Sequence, residues 1–231
     1  MKKTLLVASI LGAVSTMAST SAMAVEGLSA NAAVTSNYYW RGTTQTADES
    51  AVSGGIDYSD ESGFYAGAWL SNVNFGGNAA AELDLYFGYS GEMEGIAYDV
   101  GYVYFNYPRK ASVTTGMSTA LDFGEIYGSV SFDALTLGLA VLANTEGNGT
   151  SDFGDSIYVS ADYTLEVAEG IEAAFHIGSY SGDFVKAGFG DDYIDLGASI
   201  SKDGFTFGVV ETTLDGSDLG FYVSYAVDFD L

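Results

Sequence analysis

The sequence predicts an all-β chain, a transmembrane up-and-down antiparallel β-barrel of about 12 strands behind an N-terminal signal peptide. Three observations predict it. Apolar and polar residues alternate with a period of two in successive segments of about 9–11 residues, the length a tilted membrane strand needs. Short turns and longer polar stretches alternate between those segments, which places both chain ends on one side of an even-numbered barrel. Finally, the stretch Leu219 to Leu231 keeps its alternation to the end. Leu219, Phe221, Val223, Tyr225, Val227, Phe229 and Leu231 share one face, against Gly220, Tyr222, Ser224, Ala226, Asp228 and Asp230. A terminal strand needs a partner for its open edge, and pairing with the first strand closes the barrel.

The N-terminus reads Met1-Lys2-Lys3, then an apolar run from Leu5 to Val14, then Ala22-Met23-Ala24. This is the pattern of a secretory signal peptide, so residues 1–24 are expected to be removed and residues 25–231 to form the barrel. Its apolar core is short of the roughly 20 residues a membrane helix needs, and no later segment approaches that length. With Lys2 and Lys3 in the leader, five of the 7 basic residues face 31 acidic ones in the rest of the chain. That balance excludes nucleic acid as a partner, because phosphate binding needs a basic surface. Cysteine is absent, which argues against a small disulfide-built secreted domain. Only 16% of residues are charged while 14% are aromatic, a composition that excludes a disordered acidic chain.

The first strand begins at Leu28, with Leu28, Ala30, Ala32 and Val34, then Tyr38 and Trp40, on one parity. A polar stretch, Arg41 to Ser50, follows. The second strand sets Val52, Gly54, Ile56 and Tyr58 against Ser53, Gly55, Asp57 and Ser59, and a tight turn at Asp60-Glu61-Ser62-Gly63 leads to the third, Phe64 to Val73. The fourth, Ala81 to Ser90, carries Glu82 and Asp84 on its polar face; a turn around Gly91 to Gly95 leads to the fifth, with Ile96, Tyr98, Val100, Tyr102 and Tyr104 opposite Asp99 and Gly101. Pro108 falls just beyond it, where no ladder donor is lost. After the loop Pro108 to Leu121, which holds Arg109 and Lys110, the sixth strand carries Glu125, and the seventh presents Leu135, Leu137, Leu139 and Val141. Beyond the loop Thr145 to Asp155 come the eighth strand, with Asp162 inward, and the ninth, with Glu172 and His176 inward. Ser181 to Asp192 reads as a loop. The tenth strand carries Asp195, Lys202-Asp203-Gly204 turns the chain, and the eleventh presents Phe205, Phe207 and Val209. Tyr38, Trp40, Phe64, Tyr89, Tyr104 and Phe229 fall near strand ends and are expected in interfacial aromatic girdles. A soluble β-sandwich also alternates, but here the inward sets are mostly small residues with sparse acids, which suits a wet lumen better than a packed core.

The stretches TSNYYWRGTTQT from Thr35, SGGIDYSDESGFYAGAWLSNV from Ser53, ELDLYFGY from Glu82 and YDVGYVYFNYP from Tyr98 resemble the TorF family of porin-like proteobacterial outer-membrane proteins, with echoes at EIYGSVS from Glu125 and AFHIGSY from Ala174. The resemblance implies a barrel with a pore and supplies no catalytic or solute-binding residues. The apolar parity of the last strand resembles the C-terminal signal read by the outer-membrane assembly machinery, with Leu231 where phenylalanine is usual.

Parity also places the charges. Asp57, Glu82, Asp84, Asp99, Glu125, Asp162, Glu172 and Asp195 all fall opposite the apolar set, and closure puts them, with His176, in the lumen. Acidic rings favour cations, so the expected activity is passive, cation-preferring diffusion of small solutes without any cofactor. A plainer reading is that these acids keep a wet lumen solvated. Arg41, one of few basic residues, is a candidate constriction residue that opposes the lumen acids; the alternative is a rim arginine within a girdle. The loop acids Asp48, Glu49, Asp152, Asp155, Asp183, Asp191 and Asp192 form a solvated rim or bind divalent cations that bridge phosphates of outer-membrane lipid and lipopolysaccharide, although no EF-hand spacing is present. His176 is the sole histidine, so no ordinary zinc site is expected. A barrel hydrolase would need a serine, such as Ser160 or Ser199, beside it. A structural or receptor-like barrel with a plugged lumen is the remaining alternative. The expected location is the Gram-negative outer membrane.

Overall fold

A computed structural model describes residues 25–76, 79–108, 121–146 and 152–231. The expected leader at 1–24 and the basic pair Arg109 and Lys110 lie outside these residues. Among the described residues the strands are β1 (Leu28–Thr35), β2 (Tyr39–Trp40), β3 (Thr43–Thr44), β4 (Ala51–Ser59), β5 (Phe64–Asn72), β6 (Ala81–Met93), β7 (Ile96–Asn106), β8 (Phe123–Phe132), β9 (Leu135–Thr145), β10 (Ile157–Ala168), β11 (Ile171–Ser181), β12 (Tyr193–Lys202), β13 (Phe205–Thr212) and β14 (Gly220–Asp230), with one helix, α1 (Asp183–Phe189). β1 and β4 to β14 close an antiparallel barrel in which each strand pairs with its sequence neighbours. The seam joins the two ends of the chain, with Ala32 opposite Val227 of β14 on one side and Gly54 of β4 on the other. Closure satisfies every strand edge, which is what hydrocarbon demands of a spanning sheet.

The parity expected from sequence holds around the barrel. Val52, Phe87, Val100, Phe175 and Phe221 stand exposed outside, whereas Glu82, Asp84, Glu125 and Asp195 are buried within. Two of the hairpins at the short-turn end are two-residue turns, Glu94-Gly95 and Asp203-Gly204, with all four residues at positive φ. That is the type I′ geometry whose twist matches paired strands, and glycine at its second position meets no Cβ penalty. β6 runs on to Met93, so the turn expected over Gly91 to Gly95 is confined to Glu94-Gly95.

Three departures from the sequence expectation stand out. The first strand ends at Thr35, so Tyr38 and Trp40 leave its outward parity and fold inside, where Tyr38 meets Trp69 and Trp40 meets Phe105 and Phe123; neither is in a girdle. The loop from Ser181 contains α1, two turns closed by Gly190 in the left-handed conformation, which Cα without a side chain adopts readily. Small inward residues also serve packing: tyrosine rings lie over glycines of adjacent strands, Tyr65 on Gly88, Tyr86 on Gly67 and Tyr127 on Gly101. A Cβ on Gly88 would press into the Tyr65 ring and stand 2.6 Å from the Val100 carbonyl, which the ladder holds in place. Gly88→Ala is therefore expected to cost about 1–3 kcal/mol by overpacking. Gly128→Ala, whose nearest neighbour would be 3.3 Å away, is the control. A lowered midpoint in heat-modifiability on semi-native gels for the first and little change for the second is the expected pattern; equal midpoints would refute it.

Candidate functional site: the inserted loop and the lumen wall

The chain leaving β1 turns inward instead of continuing upward. Thr35 donates its hydroxyl to the Asn37 carbonyl at 2.8 Å, and Asn37 then organises the loop: its Nδ2 donates to Asp48 at 2.7 Å while its Oδ1 accepts from Thr44 and Thr46 at 2.7 and 3.0 Å. Within this frame β2 and β3 pair as a miniature hairpin, Tyr39 with Thr44 and Trp40 with Thr43. Its two-residue turn is Arg41-Gly42, with φ of 47° and 75°. Only a residue without a Cβ fits the second position. A Cβ there would lie 2.6 Å from Thr212 Cγ2 and 2.7 Å from Asp195 Cβ on the barrel wall.

The turn delivers Arg41 into the lumen. Its two terminal nitrogens donate to the two oxygens of Glu125 at 2.8 and 2.6 Å, a bidentate pair with each side chain only 2–3% exposed. The flat guanidinium also lies against three rings, Trp40, Tyr158 and Tyr180, at 4.3, 4.2 and 4.4 Å from their centroids. Burial by itself opposes the positive charge, but Glu125 outweighs it and holds the guanidinium above its ordinary pKa, so Arg41 is charged throughout the working pH range. A second contact anchors the loop, because Tyr38 donates its hydroxyl to Glu82 Oε1 at 2.9 Å.

The wall beneath the loop carries the other residues singled out by parity. His176 lies between two aspartates, with Nδ1 at 2.6 Å from Asp162 and Nε2 at 2.8 Å from Asp195; Nε2 is also 2.9 Å from the Tyr158 hydroxyl. Tyr158 thus touches both this cluster and the Arg41 guanidinium. Asp57 accepts from Tyr86 and, at 3.2 Å, from Asn31; Asp99 accepts from Tyr65 at 2.6 Å, and Tyr65 meets Tyr127. Glu82 and Asp84 share the inner face of β6, both fully buried, and among the described residues neither oxygen of Asp84 has a hydrogen-bond partner. Glu172 lies apart from all of these, exposed near the short-turn end opposite Glu166 and Ser201.

The structure therefore brings together Arg41 with Glu125, His176 with Asp162 and Asp195, and Glu82 with the loop through Tyr38. Sequence reasoning missed Tyr158, Tyr180 and the inward course of Trp40. One local signal was available, since Arg41-Gly42 between YW and TT has the spacing of a two-residue hairpin. Among the loop acids, Asp48 caps the Asn37 amide and Asp192 pairs with Lys186 at 3.0 Å. Among the described residues no group of three or more His, Asp or Glu is placed to hold a metal ion.

Comparison with known proteins gives the following. The model of the family described as "Bacterial protein of unknown function (Gcw_chp)" matches residues 18–228, so the chain belongs to that family. No curated protein matches its sequence. A KdgM porin structure superposes with a TM-score of 0.54 at 8% identity, covering 88% of this chain and 99% of that one. A KdgM porin in complex with disordered oligogalacturonate gives 0.51 at 6% identity, covering 88% and 98%. OccAB4 of Acinetobacter baumannii gives 0.43 at 14% identity; the match covers 84% of this chain and 56% of OccAB4, little more than half its length. What the KdgM likeness establishes is the closed 12-stranded barrel fold.

Proposed function

We propose that this member of the Gcw_chp family is an outer-membrane porin-like channel for passive diffusion of small solutes, cation-preferring, with residues 1–24 as its Sec-type export signal. The observation that carries the reading is the loop hairpin held inside a closed barrel by Arg41 on Glu125, among inward tyrosines and carboxylates such as Asp57, Asp99 and Asp162. A barrel with a loop folded into its lumen has a defined constriction, and an acidic wall below it repels anions. The porin structures that share the fold support the same reading, as does the TorF resemblance of the stretch that forms the loop. In this view Asp57, Asp99, Asp162, Glu172 and His176 line the path, the outward band faces lipid and lipopolysaccharide, and β14 is the element the assembly machinery reads.

The inserted hairpin itself favours a second reading, a barrel whose lumen stays plugged and whose loops act as a structural or receptor surface. Planar-bilayer recording separates the two. Discrete channels whose reversal potential in a KCl gradient favours K⁺ support the porin, and Asp162→Asn, at a carboxylate 44% exposed to the lumen, is expected to reduce that preference. Folded protein that never opens channels would support the plug, and a preference for Cl⁻ would overturn the proposed selectivity. The geometry at His176 speaks against the hydrolase reading: its ring nitrogens meet two aspartates and a tyrosine, where a triad needs a serine.

A further inference from the structure

We infer that the wall pocket holding Arg41 is a guanidinium-recognition site, and that permeant guanidinium cations open the constriction by competing with Arg41 for it. The inference rests on the channel reading above and names the class of solute that reading leaves open. Three of the groups around the Arg41 head belong to the barrel, not to the loop: Glu125 on β8, Tyr158 on β10 and Tyr180 on β11. Together they offer a carboxylate that accepts from both terminal nitrogens and two tyrosine rings, set at 88° to each other, with centroids at 4.2 and 4.4 Å. A planar five-donor cation matches that arrangement, whereas an ammonium can neither pair bidentately nor lie flat on a ring. The loop thus presents to the wall a side chain with the chemistry of a small solute.

One unmet hydrogen-bonding need indicates room for a better occupant than the tethered one. Among the described residues Arg41 Nε is buried without an acceptor, while the Tyr180 hydroxyl already lies toward Ser156 and the Arg41 side chain and the Tyr193 hydroxyl toward Thr43. The tethered head is held with both terminal nitrogens on Glu125, an arrangement that leaves Nε turned away from any acceptor among the described residues. An untethered guanidinium keeps the Glu125 pair and is free to rotate a further N–H toward a tyrosine oxygen. Against this, the loop has the advantage of a high effective concentration, so competition in the wild type requires more solute than binding to an emptied pocket does.

The test uses the folded barrel in detergent and in bilayers, with methylguanidinium and methylammonium as probes. Calorimetric titration of Arg41→Ala is expected to show one methylguanidinium site and at least roughly tenfold weaker methylammonium binding, with R41A/E125Q losing the difference. In wild-type channels, methylguanidinium is expected to raise the open fraction at concentrations where methylammonium of equal ionic strength does not. Equal affinity of R41A for both probes would reduce the pocket to a generally negative lumen and overturn the inference. A wild-type channel equally open in both solutes would overturn the competition even if R41A failed to fold. Absence of any channel in either solute, with methylguanidinium still preferred by R41A, would instead defeat the porin reading and leave the recognition site standing.

Discussion

Arg41→Ala is expected to raise single-channel conductance several-fold and to lower the barrel's thermal midpoint. Two effects combine. The substitution leaves Glu125, 1% exposed, as a buried carboxylate without its bidentate partner, and breaking a buried ion pair on one side costs about 3–5 kcal/mol. It also removes the two ring contacts, to Tyr158 and Tyr180, that hold the tip of the hairpin against β10 and β11. The loop keeps its Tyr38 bond to Glu82 and the backbone bond from Asn74 to the Gln45 carbonyl, so it loosens at its tip while its base stays attached. The barrel ladder contains no hydrogen bond from β2 or β3, which is why the strands persist while the constriction widens. R41A/E125Q separates the causes: neutralising the stranded carboxylate is expected to recover most of the stability and none of the narrowing. If conductance and midpoint both match the wild type in Arg41→Ala, the side chain has no part in the constriction.

The barrel was legible in the sequence because its physics is local and repetitive. A period of two is imposed on every strand by the pleat, and lipid outside against water inside writes that period into residue type, so Leu135, Leu137 and Leu139 or Phe205 and Phe207 declare their face without any knowledge of neighbours. The inserted loop was not legible by the same rule. Tyr38 and Trp40 sit at positions that continue the outward parity of β1, and the pattern gives no sign that the strand stops at Thr35. What stops it is a side-chain network centred on Asn37, whose partners lie 7 to 11 residues on and become neighbours only once the hairpin forms. Likewise α1, at seven residues, is too short to display a helical period, although Gly190 marks its end. The pairing of Arg41 with Glu125 spans 84 positions and crosses the lumen, a relation that strand parity limits to a face but cannot assign to a partner. Parity supplied the acids; the loop's tertiary course decided which one Arg41 meets.

Deleting Leu219 to Leu231 is expected to abolish the heat-modifiable barrel altogether. β14 is hydrogen-bonded on both sides, from Ser29 to Thr35 along β1 and from Phe205 to Val210 along β13, so its loss opens two edges at once. Each backbone group left unpaired in hydrocarbon costs several kcal/mol, and the sum over two ladders exceeds the whole stability of a typical domain. The same deletion also removes the outward row Phe221, Val223, Tyr225, Val227 and Phe229, which is the proposed assembly signal, so closure and recognition would fail together. Removing Leu231 alone distinguishes them. Its backbone contributes bonds to Leu28 and Val25 beyond the ends of β14, while the ladders of β14 itself remain. If closure governs assembly, the one-residue truncation inserts in cells and refolds in detergent nearly as the full chain does. If the terminal residue is read by the machinery, that truncation refolds in detergent yet fails to reach the membrane in cells. A chain lacking all of Leu219 to Leu231 that still shifts on heating would show that β1 and β13 can close without the strand between them, and would remove the basis for placing the seam there.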